Sequence, residues 1–527
     1  LPSRDRNLNI FMKVARHLLS VAVSASLSAL IPEPSTCFAQ GSLTPPGAPA
    51  STMKSLDQIE ARTPIDAAHT PGDSSSQFRI TQPGSYYLTG NISGVAGKHG
   101  IFINSSNVTL DLNGFILDGA SGTGNTGVFL GTVSQVIVQN GTITGWKQSG
   151  LFGVNASFLG IKNLRIVNNG SAGTYNGVSV GSGSHLTDCV VSGSSGYGIE
   201  TDLDAVIRGC VVQSNGSDGI NALTNTAIVD CIAAINQGNG ITVSSGTVTG
   251  CSSQSNTGVG ISVGQYGVIT ACTVRNNSVG ISVTGSGTTI TQCTVITPAT
   301  VGIQAADGCV IDRCSVSGAG SFGIQTGNAC TITGCGVRAS GSAGITIGND
   351  CGISGTSSVG NSGASNGITA GQGCTINGCT ASSNGGNGIY VDQGCTVTNC
   401  TVRGNTLIGI RLFDNSLAQK CTVFGNHGDG ITLTTACTVR DCSASGNGVG
   451  GTHDGIHLLL FGTDNRVDGN NASKNTGWGI HQESGPDLIV RNTARGNTTG
   501  NYSPSSGTSV GPIGSPDTAT SPWANFQ

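Results

Sequence analysis

Charge is scarce in this chain. Only 9% of its 527 residues are Asp, Glu, Lys or Arg, and the net charge is −4. No basic field is present to hold nucleic acid, and no long acidic run forms a solvating tail. Aromatic residues make up 4%. No segment after the N-terminal region stays apolar for the ~20 residues that a membrane-spanning helix requires. Two further absences concern secondary structure and metals. The apolar residues show no 3.6-residue period, and no CxxC pair carries the spacing of a zinc site.

What the chain has instead is glycine, 84 residues of it, interleaved with Ile, Val and Thr, together with 19 cysteines. The cysteines keep time. Cys189, Cys210, Cys231, Cys251, Cys272, Cys293, Cys314 and Cys335 stand 20 or 21 residues apart. The ladder breaks and resumes at Cys379, Cys400, Cys421 and Cys442. A second ladder runs five residues ahead, through Cys309, Cys330, Cys351, Cys374, Cys395 and Cys437. A Gly followed by an aliphatic residue keeps the same beat from Gly198-Ile199 to Gly479-Ile480, with weaker rungs from Gly100-Ile101 to Gly177-Val178. A period of this length, with Gly and β-branched residues throughout, predicts a solenoid rather than helices or several domains.

One coil, Gly388 to Leu407, shows the pattern in full. Alternation within three short strands sends Ile389, Val391, Cys395, Val397, Cys400 and Val402 inward. It sends Tyr390, Asp392, Thr396, Thr398, Thr401 and Arg403 outward, with Gly394, Asn399 and Gly404-Asn405 at the corners. Such a coil has no closed core alone, so equivalent strands must stack ~4.8 Å apart. Six small apolar side chains per coil then contribute roughly 6–12 kcal/mol before chain entropy is subtracted. The expectation is an all-β, single-stranded, right-handed parallel β-helix, with three short strands per ~21-residue coil and about 18 coils, a rod roughly 85 Å long.

The cysteines read as core thiols of small apolar volume, with disulfides or metal ligation as the alternatives. Parallel Cβ vectors set the sulfurs side by side rather than in bridging geometry, and Thr356 and Ser416 stand at two ladder positions. An Asn four residues before the Gly-Ile step, at Asn215, Asn236, Asn256, Asn276, Asn384, Asn405, Asn426 and Asn475, reads as a stacked turn ladder.

Residues 1–39 read as upstream residues plus a signal peptide starting at Met12. Lys13 and Arg16 precede an apolar stretch from Leu18 to Ile31, with Cys37 and Ala39 at the cleavage site. That order implies a secreted, periplasmic or cell-surface protein. Residues 40–75 read as a Pro/Ala/Ser-rich linker, 76–500 as the β-helix with an aromatic N-terminal cap at Phe78–Leu88, and 501–527 as a C-terminal tail or cap carrying Trp523 and Phe526.

These rungs resemble the bacterial secreted right-handed parallel β-helix repeat proteins of the pectate-lyase-like superfamily, over about residues 76–500. The resemblance implies the fold. It leaves the activity open, because lyases, polygalacturonases, epimerases, phage tailspikes and NosD-like periplasmic copper-accessory proteins share it. The polygalacturonase Asp-Asp and Gly-His-Gly signatures are absent, and so is the GGxGxD calcium repeat.

His, Arg and acids crowd together on the last coils alone. The residue after each Gly-Ile runs Tyr390, Arg411, Thr432, His457, His481, with Asp392 and Glu483 in the neighbouring column and His427, Asp429, His453 and Asp454 at the corner leading in. Asp392, Arg411, His457, His481 and Glu483 are the candidate catalytic residues. Tyr390, His427, Asp429, His453 and Asp454 are the candidate binding residues. Glu200, Asp202 and Asp204 form a smaller candidate cation group, for which calcium is the ion to consider. No other cofactor is expected. Thr-x-Thr steps such as Thr289/Thr291 raise an ice-binding face, interrupted by Asp312, Asn377 and Arg440.

Three functions follow. The first is presentation of a long polar face to a polysaccharide, cell-surface glycan or other partner. The second is a polysaccharide lyase or glycoside hydrolase with its site on coils 390–483. The third is a structural or periplasmic metal-accessory role. Oligomeric state is not legible.

Overall fold

A computed structural model of the chain describes residues 61–120 and 122–527. Residues 1–39, read as upstream residues plus a signal peptide, and residues 40–60, read as linker, lie outside the described residues. Among the described residues, no helix is long and apolar enough to cross a membrane.

The coil Gly388–Leu407 forms strands Ile389–Val391, Thr396–Thr398 and Thr401–Arg403. Its six predicted inward residues are buried, each at most 1% exposed. Each strand lies in register on its equivalents one coil away: Ile368↔Ile389↔Ile410 in the first sheet, Ile376↔Val397↔Ala418 in the second, Ala381↔Val402↔Val423 in the third. Strand pairing is parallel throughout, so the coils wind in the right-handed sense that parallel crossovers adopt. A single aliphatic and sulfur-bearing column fills the interior from Ile65 to Ala494.

The first sheet stacks twenty strands, from Ser76–Ile80 to Gly500–Ser503. The eighteen rungs marked by Gly-aliphatic steps lie between these two. Phe78–Leu88, read as a cap, is itself a coil: Ser76–Ile80 pairs with His99–Ile103, and Gly84–Tyr87 with Val108–Asp111. Pairing starts earlier still, at Thr63–Pro64 on Tyr86–Tyr87, and runs to Phe526 on Thr493. Trp523 stays half exposed beneath the Arg491 guanidinium, 5.5 Å from the ring centre.

The corners explain the ladders. The residue before each third-sheet Cys is left-handed, for example Asn399 (φ 55°) and Lys420 (φ 53°). That bend takes the next backbone N–H out of the ordinary sheet pattern, and at several rungs a side chain of the following coil accepts it. Cys231 N–H reaches Cys251 Sγ at 3.4 Å, and Cys314 N–H reaches Cys335 Sγ at 3.4 Å. Where cysteine is replaced, the acceptor is kept. Cys335 N–H meets Thr356 Oγ1 at 3.3 Å and Cys395 N–H meets Ser416 Oγ at 3.2 Å. At the far end Cys437 and Cys442 hand over to Asn465 and Asn470, each at 2.9 Å. The thiols are therefore more than small apolar filler. All eighteen described cysteines are free and buried. Burial pushes the thiols of Cys309 and Cys437 up.

The asparagine ladder works in the same way at the third corner. Asn384 donates its N–H (3.0 Å) and its amide (2.9 Å) to Asn405 Oδ1, and Asn405 repeats this on Asn426. One rung is corrected. Asn276 is a left-handed corner residue, and Asn277, 2% exposed, takes the ladder position, accepting from Asn256 at 2.8 Å. The turn leading to Gly280 is one residue shorter there. The ladder then lapses at Pro298 and Ala319 and resumes from Ser340 to Asn361.

Asn405→Ala strands the Asn384 N–H in a buried corner. It is expected to destabilise the fold by about 1–3 kcal/mol in urea unfolding, against a few tenths for Asn399→Ser at the exposed corner. Thiol titration of the folded protein is expected to find almost none of the eighteen described cysteines. Titration in denaturant without reductant is expected to find them all. A count near zero in denaturant would mean that they are paired.

Candidate functional site

Side chains that follow the inward Ile of the first sheet point to solvent. Register sets Tyr390, Arg411, Thr432, His457 and His481 in one straight column. Two departures from the coil period flank it. Gly448–His453 lengthens the corner before Ile456, and Leu459–Asp464 lengthens the one after Leu458. Thr432, an outward residue of this column, is 0% exposed. Its Oγ1 has no hydrogen-bond partner.

A groove of about 440 Å³ opens beside the column. It is lined by Asn387, Thr406, Leu407, Ile408, Arg411, His427, Gly428, Asp429, Gly450 and His453. Among the described residues no carboxylate lies within ion-pair distance of Arg411. Its guanidinium sits 5.9 Å from the Tyr390 ring centre and 5.1 Å from that of Phe413, and its Nε is shielded without a partner.

Behind the groove the imidazoles and acids interlock. His457 Nδ1 lies 3.0 Å from Asp429 Oδ2 and 3.7 Å from Asp454 Oδ2, and its Nε2 lies 3.2 Å from Glu483 Oε1. His481 Nδ1 lies 2.7 Å from Asp454 Oδ2, and the two imidazoles stack with centres 4.8 Å apart. His453 Nδ1 is 3.5 Å from Asp429 Oδ1. Backbone amides fix the acids. Asp454 N–H donates to Asp429 (2.7 Å), Trp478 N–H to Asp454 (2.6 Å) and Leu460 N–H to Glu483 (2.6 Å). Burial alone would lower the pKa of His457, but the hydrogen bond and charge of Asp429, with Asp454 and Glu483, hold it above the usual imidazole value. Burial would likewise raise Asp429, and the His457 hydrogen bond and the Asp454 amide hold it below the usual carboxylate range.

Eight of the ten candidates thus sit in or against one cluster: Arg411, His427, Asp429, His453, Asp454, His457, His481 and Glu483. Tyr390 adjoins through Arg411. Asp392 stands apart, its Oδ1 accepting the Gln393 N–H at 2.8 Å, with no hydrogen bond or ion pair to the imidazoles. Glu200, Asp202 and Asp204 do not converge. Their carboxylates accept separately from Asn176, Ser182 and Asn225. The Thr-x-Thr face is broken as well, since Thr289 pairs with Val268 and Val310. The sequence reading missed the groove wall and Phe413. Leu407, an exposed aliphatic at a corner, was the available signal.

The chain is similar to the Azotobacter vinelandii mannuronan C-5 epimerase AlgE4 A-module, at 13% identity over 77% of this chain and 91% of that one, with a TM-score of 0.17. It is similar to the periplasmic alginate epimerase AlgG, at 11% identity over 77% and 80%, TM-score 0.27. It is also similar to the Agl-KA catalytic domain, at 13% over 73% and 62%, TM-score 0.21. No curated protein matches the chain. The family model described as "Right handed beta helix region" matches residues 176–310, 204–359, 300–439 and 393–508. These matches span more than half of the sequence and fall on the register-locked coils, so the chain belongs to the right-handed β-helix family.

Proposed function

We propose that this chain is an extracytoplasmic β-helix that binds an anionic polysaccharide in the groove beside Arg411. The observation that carries the reading is the Arg411 guanidinium, half-buried, unpaired with any described carboxylate and set beside two aromatic rings. A planar fork held in this way suits a sugar carboxylate bidentately, and the rings offer faces to pyranose C–H groups. The His427 and His453 imidazoles and the Asn387 amide supply further polar groups along the same wall. The volume falls within the range of small-molecule sites, enough for a short stretch of a longer chain. The signal-peptide order of residues 12–39 supports a location outside the cytoplasm.

A second reading adds cleavage of the bound chain by a lyase or glycoside hydrolase. Its support is the His453 imidazole, oriented by Asp429 on the same wall as Arg411. A cation beside a uronate carboxylate, with an imidazole nearby, is the arrangement that removal of the adjacent C–H proton requires.

Wild type is expected to bind polygalacturonate or alginate oligosaccharides in calorimetry and to ignore a neutral β-glucan. Arg411→Ala is expected to weaken acidic binding by about 10- to 100-fold, as loss of a charge-assisted pair does, and Arg411→Lys to restore part of it. Equal binding of the neutral glucan, or an unaffected Arg411→Ala, would refute the reading. Ultraviolet absorbance of unsaturated ends and reducing-end assays in the same samples report cleavage, which His453→Ala is expected to abolish if it occurs.

A further inference from the structure

Behind the groove, the Nδ1 atoms of His457 and His481 converge on one carboxylate oxygen, Asp454 Oδ2. Among the described residues, Asp454, His457 and His481 form the one group of metal-ligating side chains whose donor atoms all lie within 4.8 Å of each other. We infer that these three residues form a binding site for a late first-row transition-metal dication of the zinc type. The inference does not rest on the polysaccharide reading.

The geometry is that of a prepared site. Zinc bonds of ~2.0–2.1 Å in a tetrahedron place neighbouring donors ~3.3 Å apart. Asp454 Oδ2 lies 2.7 Å from His481 Nδ1 and 3.7 Å from His457 Nδ1, each about half an ångström from that spacing, and the three donor atoms all lie within 4.8 Å of one another. Asp454 and His457 are oriented from outside the site. Asp454 spends its other oxygen on the Trp478 N–H, leaving Oδ2 directed at both imidazoles. Glu483 stands against His457 Nε2, and its second oxygen is held by the Leu460 N–H. A carboxylate on the far nitrogen is a common outer partner of metal-bound histidine, and an ion at Nδ1 would take the place of the proton that His457 shares with Asp429. Asp429 Oδ2 lies 3.0 Å from His457 Nδ1, beside the three donors and outside their group.

Charge supports the assignment. Three carboxylates, Asp429, Asp454 and Glu483, surround two imidazoles, so the pocket holds excess negative charge whenever the imidazoles are neutral. Two nitrogen donors favour zinc, cobalt, nickel or copper over calcium and magnesium, which prefer oxygen. The Asp454 and His457 side chains are 9% and 14% exposed, while His481 is 26% exposed, which leaves one side of the site open to solvent and to an incoming oxygen ligand.

The test is a zinc titration of chelator-stripped full-length protein, without polysaccharide, beside His481→Ala, Asp454→Asn and His427→Ala. Wild type and His427→Ala are expected to bind one zinc that excess calcium does not displace. Cobalt substitution is expected to give visible absorption bands of a four-coordinate ion. His481→Ala and Asp454→Asn are expected to weaken that site at least tenfold while keeping a β-rich far-ultraviolet spectrum. Reading the difference from wild type also subtracts any zinc taken by thiols. If His481→Ala misfolds, Asp454→Asn, which preserves the oxygen that accepts the Trp478 N–H, makes the same comparison. Zinc binding unchanged in the folded variants, or calcium held as tightly as zinc, would overturn the inference.

Discussion

The structure depends on how the corners of each coil are satisfied. Parallel stacking supplies hydrogen bonds to straight segments without further help, but each coil must also bend three times, and a bend turns backbone N–H groups inward, away from water. A buried N–H without a partner costs as much as a good interaction gains. The chain meets this at many rungs by placing an acceptor from the next coil at the same spot. Asn384, Asn405 and Asn426 do so at one corner, and the cysteines at the others. Sulfur, hydroxyl and amide oxygen interchange at these positions because the requirement is an acceptor of small volume. It is not a particular residue.

That constraint also decided what was legible in the sequence. An acceptor required once per coil writes a period, and the period gave the architecture, the register and the identity of inward residues such as Val397 and Val402 before any coordinates were considered. It failed where a coil changes length. Asn276 and Asn277 are adjacent, and only the shortened turn before Gly280 shows which one faces the interior. That Phe78–Leu88 is a coil as well was not legible, because Phe78 and Tyr86 break the Gly-aliphatic rhythm while keeping the strand pairing.

The candidate site was half legible for the same reason. Residues one coil apart in register, Arg411, Thr432, His457 and His481, can be aligned by counting. What surrounds them cannot. The groove edge at Gly450 and His453 and the anchoring of Glu483 by the Leu460 N–H come from the corners at 448–453 and 459–464, where the count is lost. Asp392 shows the converse. It shares a column with Glu483, yet it lies on a regular coil with no lengthened corner to bring it inward.

The sulfur column has a consequence for how the chain is made. In the finished fold each thiol is sealed from solvent and its sulfur already engaged, so oxidants have little access. Before the coils close, the same thiols are carried on an open strand at intervals short enough to reach one another. In any oxidising compartment, assembly is then a race between winding and mispairing. A solenoid is suited to that race, because each new turn needs only the edge already formed and can shut its sulfur away as it lands.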